Sequence, residues 1–231
     1  MALMDEFKEE RESIKNKSFK EKMDYFWCYY KWWVITPIII LIIAGNLIST
    51  IMNQPKYILD GMFINISDFN KLEILDDYLS NFVQEQNFDS AKYGVGYNPN
   101  HTYISESQKA SMSEDQYDPS ANKYAIQNVV AGLGSKSLNF VIGPSDSLLE
   151  LDSNQLFTDL TKFLTKEQLN AYASYFIYLK DDEHMPILID LSKCDQLQEI
   201  YGSDANNLAI GIVNDENEKD MMLEFLDYLM K

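Results

Sequence analysis

Cysteine and histidine, on which many catalytic and metal sites are built, are scarce in this chain of 231 residues, which has only Cys28, Cys194, His101 and His184. Neither histidine has a second ligand at the spacing of a metal site. The sequence also lacks a G-x-S-x-G motif and a Cys/His arrangement suited to nucleophilic catalysis. We therefore expect no metal, no cofactor and no enzymatic activity.

Segments that resemble ligand loops at first sight lack a required residue. In "AGLGSKS" (131–137) the lysine does not directly follow the last glycine, and the segment ends a helix instead of following a strand, so a helix C-terminal turn is favoured over a phosphate loop. "NDENE" (214–218) lacks the glycine and the distal glutamate of a calcium loop. Neither segment indicates a ligand.

Basic residues are also few, because 19 Lys and Arg stand against 36 Asp and Glu, for a net charge of −17. Residues 1–31 contain seven of each sign, whereas residues 53–231 contain 12 basic and 29 acidic residues. A domain this acidic repels phosphate backbones, so we expect no nucleic-acid partner.

Charge is absent from residues 32–55, and within this stretch Trp33–Met52 supplies twenty mostly apolar residues. About 20 such residues cross the roughly 30 Å of hydrocarbon in a bilayer. A buried core helix of this length would show a polar face, and residues 37–45 have none. The sequence therefore predicts a transmembrane helix over residues 33–52, with the lipid bilayer as its partner.

A cleaved signal peptide is the alternative interpretation of this stretch. Signal peptides have a short basic leader and a small-x-small cleavage site. Here the leader is about thirty residues long with as many acidic as basic residues, and "NLISTIMNQP" contains no Ala-x-Ala pattern. No cysteine stands there for lipoprotein processing. We therefore expect the anchor to be retained.

Basic residues near the apolar stretch predict its orientation, because cytoplasmic flanks carry more lysine and arginine. Five lysines precede the stretch closely and two follow it within twenty residues: Lys15, Lys17, Lys20, Lys22 and Lys31, then Lys56 and Lys71. We expect residues 1–32 to form a cytoplasmic and interfacial helical segment and residues 53–231 an extracellular domain at the cell membrane. Cys28 and Cys194 would then lie on opposite sides and form no disulfide within the chain.

Aromatic residues crowd the start of the apolar stretch, where rings with one polar atom favour the headgroup layer. The predicted membrane-interface residues are Tyr25, Trp27, Tyr29, Tyr30, Trp32 and Trp33. The alternative is a contact surface for another membrane protein. Upstream, Ser18 and Glu21 have the spacing of a capping box, and Pro37 is expected to mark the bend into the span.

Strand and helix patterns alternate over residues 53–231. A strand at 57–66, a helix at 69–87, a strand at 93–97, a long polar loop at 98–119 with a short strand considered at 101–105, a helix at 120–132 and a strand at 138–143 give the order β-α-β-α-β. Further helices are predicted from Pro144, at 165–175 with Thr165 as cap, and at 216–230, and further strands at 175–179, 185–191 and 207–214. The predicted fold class is α/β: a mixed, mainly parallel sheet flanked by helices, behind the juxtamembrane and transmembrane helix.

One segment, "VIGPSDS" (141–147), has the features of a ligand site. In open α/β sheets, ligands bind beyond the carboxyl ends of strands and near helix N-termini. Gly143 permits close approach, and Ser145 and Asp146 offer a hydroxyl and a carboxylate. We predict these three residues as ligand-binding, with plain helix capping by Ser145 or Asp146 as the alternative.

A family resemblance adds to this interpretation. "GSKSLNFVIGPSDSLLELDSNQLFTDLTKFLTKEQL" and "AIGIVNDENEKDMMLEFLDYLM" resemble segments of class II extracellular solute-binding (periplasmic-binding-like) proteins, and "KSFKEKMDYFWCYYKWWVI" is similar to uncharacterised single-pass membrane proteins of Gram-positive bacteria. Full solute-binding proteins have two lobes and around twice this length, so the resemblance implies a reduced version of that fold.

Two functions from different classes follow as expectations. The resemblance implies an extracytoplasmic domain that binds a small ligand or a partner protein. The alternative is a non-enzymatic structural or regulatory subunit that docks on a membrane protein complex. A concave pocket near Gly143 would favour the first, and a large exposed apolar patch there would favour the second.

Overall fold

A computed structural model of the chain describes residues 18–52, 54–66, 68–112, 118–135, 137–179, 182–213 and 218–231. The helices are α1 (Phe19–Met52), α2 (Leu72–Glu85), α3 (Glu106–Ser111), α4 (Pro119–Ser135), α5 (Ser145–Leu151), α6 (Leu160–Phe163), α7 (Lys166–Tyr172), α8 (Asp195–Tyr201) and α9 (Lys219–Leu229). The strands are β1 (Lys56–Ile64), β2 (Tyr93–His101), β3 (Phe140–Pro144), β4 (Phe176–Leu179), β5 (Asp182–Asp190) and β6 (Leu208–Ile212). By its internal contacts the chain divides into two compact units, Met1–Gln54 and Pro55–Lys231.

The first unit contains α1, which runs through Pro37 as one helix of 34 residues. Its start has the predicted capping box, because the Ser18 N–H donates to the Glu21 carboxylate at 2.9 Å and the Glu21 N–H donates to Ser18 Oγ at 3.4 Å. Lys31–Met52 is long and apolar enough to cross a membrane. No residue in Lys31–Met52 is buried, which distinguishes this helix from the core helix of a soluble domain.

The predicted interface aromatics all lie on α1. Trp27, Trp32 and Trp33 are exposed. The side chains of Tyr25, Tyr29 and Tyr30 lie outside the described part of the structure, so their place at a membrane interface stays a prediction.

The second unit is built on a mixed sheet with the order β2-β1-β3-β6-β5-β4 among the described residues. β1 pairs in parallel with β2 and β3, whereas β3–β6, β6–β5 and β5–β4 are antiparallel. The expectation of a mainly parallel sheet is therefore wrong for its second half. For the β4–β5 pair the physical reason is that the two strands follow each other too closely for a crossover helix, so they form a hairpin.

Alternating residues of the strands feed two hydrophobic cores, because successive side chains point to opposite faces. On β1, Leu59 and Phe63 pack with α2, α8 and α9 in the larger core. Met62 and Ile64 of the same strand pack with α4 and α5 in the smaller one. Helices thus cover both faces, which explains why β3 and β6 are buried along their whole lengths.

The long loop predicted at 98–119 is shorter in the structure. β2 continues to His101 because its pairing with β1 extends to Ile64, and residues 106–111 form α3 with a Ser105–Gln108 capping box. The strand considered at 101–105 is wrong, since only His101 belongs to a strand. The Thr165 cap of α7 is confirmed by its own capping box with Gln168.

Candidate functional site

The three predicted ligand residues lie where β3 meets α5. Gly143 is a buried strand residue opposite Ala209 of β6. A Cβ on Gly143 would lie 3.1 Å from Ile64 Cβ, so the room beside this glycine is taken up by the neighbouring strand. Ser145, the first residue of α5, donates its hydroxyl to Asn207 Oδ1. Both residues therefore contact other parts of the protein.

Asp146 is the centre of a hydrogen-bond network that joins three segments. Its Oδ2 accepts from the hydroxyls of Ser105 and Ser107, each at 2.6 Å. Its Oδ1 accepts from the Ser147 N–H at 2.9 Å and from Asn207 Nδ2 at 3.2 Å. A carboxylate has about four acceptor sites, so this network uses the full capacity of the side chain.

Two opposing effects set the pKa of Asp146. Partial burial of the carboxyl group raises the pKa, and hydrogen bonds from Ser105, Ser107 and Ser147 lower it by more, so that the pKa lies below its ordinary value. The ionised carboxylate ties the start of α3 and the segment before β6 to α5. The network shows what Asp146 does inside the fold, and a ligand-binding role for Gly143, Ser145 and Asp146 stays a prediction.

A shallow cavity of about 400 Å³ lies beside this network, at the carboxyl ends of β1 and β2. Its lining includes Asn65, Ile66, Ile104 and Gln108. Asn65 has a positive φ of 63° and exchanges two hydrogen bonds of 2.8 Å with the backbone of Tyr103. The polar groups here hold the loop after β2 in place.

A better-enclosed cavity of about 440 Å³ lies beyond the carboxyl end of β5, between α2, α8 and the end of α9. Its floor is made of buried side chains, namely Tyr78, Leu191, Cys194 and Leu229. The Tyr78 hydroxyl lies 3.6 Å from Cys194 Sγ. Buried side chains therefore form part of the lining of this concave site.

Tyrosines form the floor and walls of this cavity and are firmly positioned. The Tyr228 hydroxyl donates to the Tyr78 carbonyl at 3.1 Å, and the two rings lie 4.9 Å apart. Burial, the Glu85 charge and Cys194 raise the pKa of Tyr228 to about 12. Burial, followed by Cys194, raises the pKa of Tyr78 further. Both phenols stay protonated and neutral at physiological pH.

Charged side chains of both signs stand around the opening. Lys231 Nζ pairs with Glu85 at 2.7 Å and lies 5.6 Å from the centre of the Tyr228 ring. Lys193 Nζ lies 4.9 Å from the centre of the Tyr175 ring. Half-buried Asp190, at the end of β5, accepts the Ser192 N–H at 2.7 Å. The cavity thus combines aromatic surface with groups that recognise charge.

Sequence reasoning missed this cavity because it overlooked α8. The signals were present: Leu197, Ile200 and Tyr201 follow helical spacing, and Gly202 with a φ of +63° ends the helix. The turn before α8 supplies Asp190, Lys193 and Cys194, which no local motif connects to the distant tyrosines.

The histidines form no cluster with other metal ligands in the part of the chain that the structure describes, where no group of three or more His, Cys, Asp and Glu is placed to hold a metal. His101 Nε2 is buried without a hydrogen-bond partner there, and burial lowers the pKa of this side chain. His184 lies on β5. The expectation of no metal and no cofactor stays a prediction.

Comparison with known proteins gives a distant structural likeness. No family model and no curated protein matches the chain. Among solved structures, the chain is similar to a cyclic alpha-maltosyl-1,6-maltose binding protein from Arthrobacter globiformis, with a TM-score of 0.33 and 11% identity. The match covers 60% of this chain and 29% of that protein. A likeness this distant defines neither the fold nor a ligand.

Proposed function

We propose that this chain is a non-enzymatic binding protein of the cell membrane, anchored by α1, whose second unit binds a small ligand outside the cell. The observation that carries the proposal is the cavity beyond β5. Its volume of about 440 Å³ falls in the range of about 300–1,000 Å³ that is usual for ligand pockets. Its exposed lining is mostly polar, and three tyrosines and two leucines contribute aromatic and apolar surface.

The position of the cavity supports the same function. β5 runs in the same direction as β1 and β3, because two antiparallel pairings separate β5 from β3. The carboxyl end of β5 therefore lies at the same end of the sheet as the carboxyl ends of β1 and β3, which is where α/β proteins bind ligands. Asp190 is the last residue of β5, and the turn that follows it supplies Lys193 at the cavity opening.

The docking alternative has less support in the second unit. Its exposed large hydrophobic residues among those described are Tyr57, Tyr124, Val130 and Tyr178. They lie on three different elements, β1, α4 and β4. A docking surface for a membrane complex would be expected to gather such residues into one patch.

The binding test uses the full chain in detergent, screened by thermal unfolding against sugars, amino acids and short peptides. A ligand of the native state raises the unfolding temperature by mass action. Gln196→Trp places a large side chain at the cavity opening and should abolish the shift. Gln127→Trp, at an exposed position of α4, is the matched control and should preserve it. A shift that survives Gln196→Trp would contradict this site.

The topology is tested separately with protease added to intact cells. Cleavage within residues 57–231 is expected if this unit lies outside. Protection of the unit until the cells are lysed would contradict the proposed orientation.

A further inference from the structure

The charged residues around the cavity opening differ in whether they already have an opposite charge. Lys231 and Glu85 neutralise each other at 2.7 Å. Asp195 is exposed to solvent at the start of α8. Asp190 is half-buried and Lys193 is exposed, and among the described residues neither forms an ion pair. Asp190 and Lys193 therefore line the cavity without a partner of opposite charge in the described part of the chain, as does the exposed Asp195.

Each of these two groups is held in place by a weaker contact. One oxygen of Asp190 accepts the Ser192 N–H at 2.7 Å, which fixes the carboxylate at the end of β5. The Lys193 ammonium rests over the Tyr175 ring at 4.9 Å. An ammonium over a tyrosine ring at an exposed site is held less strongly than an ammonium in a charge-assisted hydrogen bond to a carboxylate.

A bound molecule covers both groups, and covering a charge costs free energy unless that charge is paired. A neutral sugar pairs neither group, and a simple cation or anion pairs one and leaves the other. A molecule with an ammonium and a carboxylate pairs both. When Lys193 turns to a ligand carboxylate, it also uncovers the Tyr175 ring as an apolar surface for the ligand's side chain.

We infer that the cavity binds a small zwitterion of the amino-acid class, with its ammonium on Asp190 and its carboxylate on Lys193; this inference rests on the proposed function. Tyr175 and Tyr228 then flank the ligand's side chain, and buried Leu191 and Leu229 lie beneath it. Asp190 and Lys193 come from one turn, so β5 positions both charged contacts.

The experiment measures thermal unfolding of the full chain in detergent with each of the twenty standard L-amino acids. The best of them is then compared with its carboxamide, its N-acetyl derivative and maltose. At a concentration 100-fold above its Kd, the free amino acid should raise the unfolding temperature by roughly 5–10 °C. Loss of either charge should reduce affinity at least about tenfold, since each charged contact contributes on the order of 1.5–3 kcal/mol.

Two variants separate the two contacts. Lys193→Met removes the carboxylate partner, so the free acid should lose its advantage over the carboxamide. Asp190→Asn keeps the acceptor for the Ser192 N–H and removes the charge, so the N-acetyl derivative should no longer be disfavoured. Asp220→Asn is the control, at an exposed position near the start of α9 and outside the lining of the cavity, and should keep both preferences.

The outcomes distinguish this inference from the proposed function. If maltose or a singly charged compound binds best and Gln196→Trp abolishes that binding, the proposed ligand site is supported and the inference of a zwitterionic ligand is wrong. If no compound shifts the unfolding temperature, both are wrong. If the amino acid binds and Lys193→Met leaves its preference over the carboxamide unchanged, the assigned contacts are wrong.

Discussion

Helix α1 and the second unit use the same apolar residue types in opposite ways. Ile38, Ile42 and Leu47 of α1 are each about half exposed, at 49%, 59% and 58%. Ile142 and Ile210, in the centre of the sheet, are fully buried. Apolar surface needs an apolar environment, which the second unit provides with its own helices and which α1 lacks among the described residues of its unit. The difference is the physical reason for proposing that α1 lies in lipid.

The largest expected effect tests the buried side of this comparison. Phe140 packs at 4.9 Å from the Phe225 ring and 6.0 Å from the Phe63 ring, measured between ring centres. Phe140→Ala should lower the free energy of unfolding of the second unit by about 3–5 kcal/mol, because the vacated space does not refill fully. Denaturant unfolding of the full chain in detergent measures this change.

Phe19→Ala is the matched control, since Phe19 is 81% exposed on α1. The same replacement there should leave the unfolding of the second unit unchanged to within about 0.5 kcal/mol. Equal decreases in the free energy of unfolding from Phe140→Ala and Phe19→Ala would contradict the difference in packing between the two regions.

The second prediction concerns the lipid side. Arginine near the centre of a membrane span costs about 2.5–3.5 kcal/mol relative to no insertion. Ile42→Arg in α1 should therefore shift the chain out of the membrane fraction, whereas Ile42→Leu should not. Fractionation after alkaline extraction provides the measurement. Full membrane retention of Ile42→Arg would contradict the proposal that α1 spans a membrane.

The sequence predicted the regular parts of both regions because their signals are local. The twenty apolar residues, the Ser18 capping box and the β-α-β-α-β alternation each depend on neighbours within a few positions. Pairing partners are not local. Sequence patterns did not show that β6 inserts between β3 and β5, and the parallel expectation was wrong there.

The candidate site was harder to predict for the same reason. Asp146 was found from the sequence, but Ser105 and Asn207, which occupy its carboxylate, lie 41 and 61 positions away. The cavity brings together residues from Tyr78 to Lys231. The helix that follows Asp190–Cys194, α8, was overlooked because its three apolar residues at helical spacing are a short signal.

The third prediction compares two glycines. An added Cβ at Gly61 would lie 2.2 Å from the Phe140 ring, and at Gly45 it would meet nothing within 4 Å. Gly61→Ala should destabilise the second unit by about 1–3 kcal/mol through overpacking. Gly45→Ala, on α1, should leave its unfolding midpoint unchanged. Denaturant titration of both variants tests whether close packing is confined to the second unit.

The smallest expected effects lie within the second unit and depend on pH. Hydrogen bonds outweigh burial at Asp146 and lower its pKa. A lowered native pKa stabilises the fold above the unfolded pKa of about 3.9, and this contribution is lost as pH falls through the native value. The difference in free energy of unfolding between the wild type and Asp146→Asn should therefore decrease as the pH is lowered from 7 to 3.

Asp60 should show the opposite trend. Burial and the nearby Glu218 charge raise its pKa. A raised native pKa gives stability that is present below the unfolded pKa and lost as pH rises through the native value. As the pH falls, the wild type should therefore become more stable relative to Asp60→Asn. Over the same range Asp146→Asn should become more stable relative to the wild type. Denaturant midpoints of the three proteins, measured at several pH values, test these opposite trends. If both variants changed in the same direction relative to the wild type, the Ser105 and Ser107 hydroxyls would not stabilise the ionised Asp146.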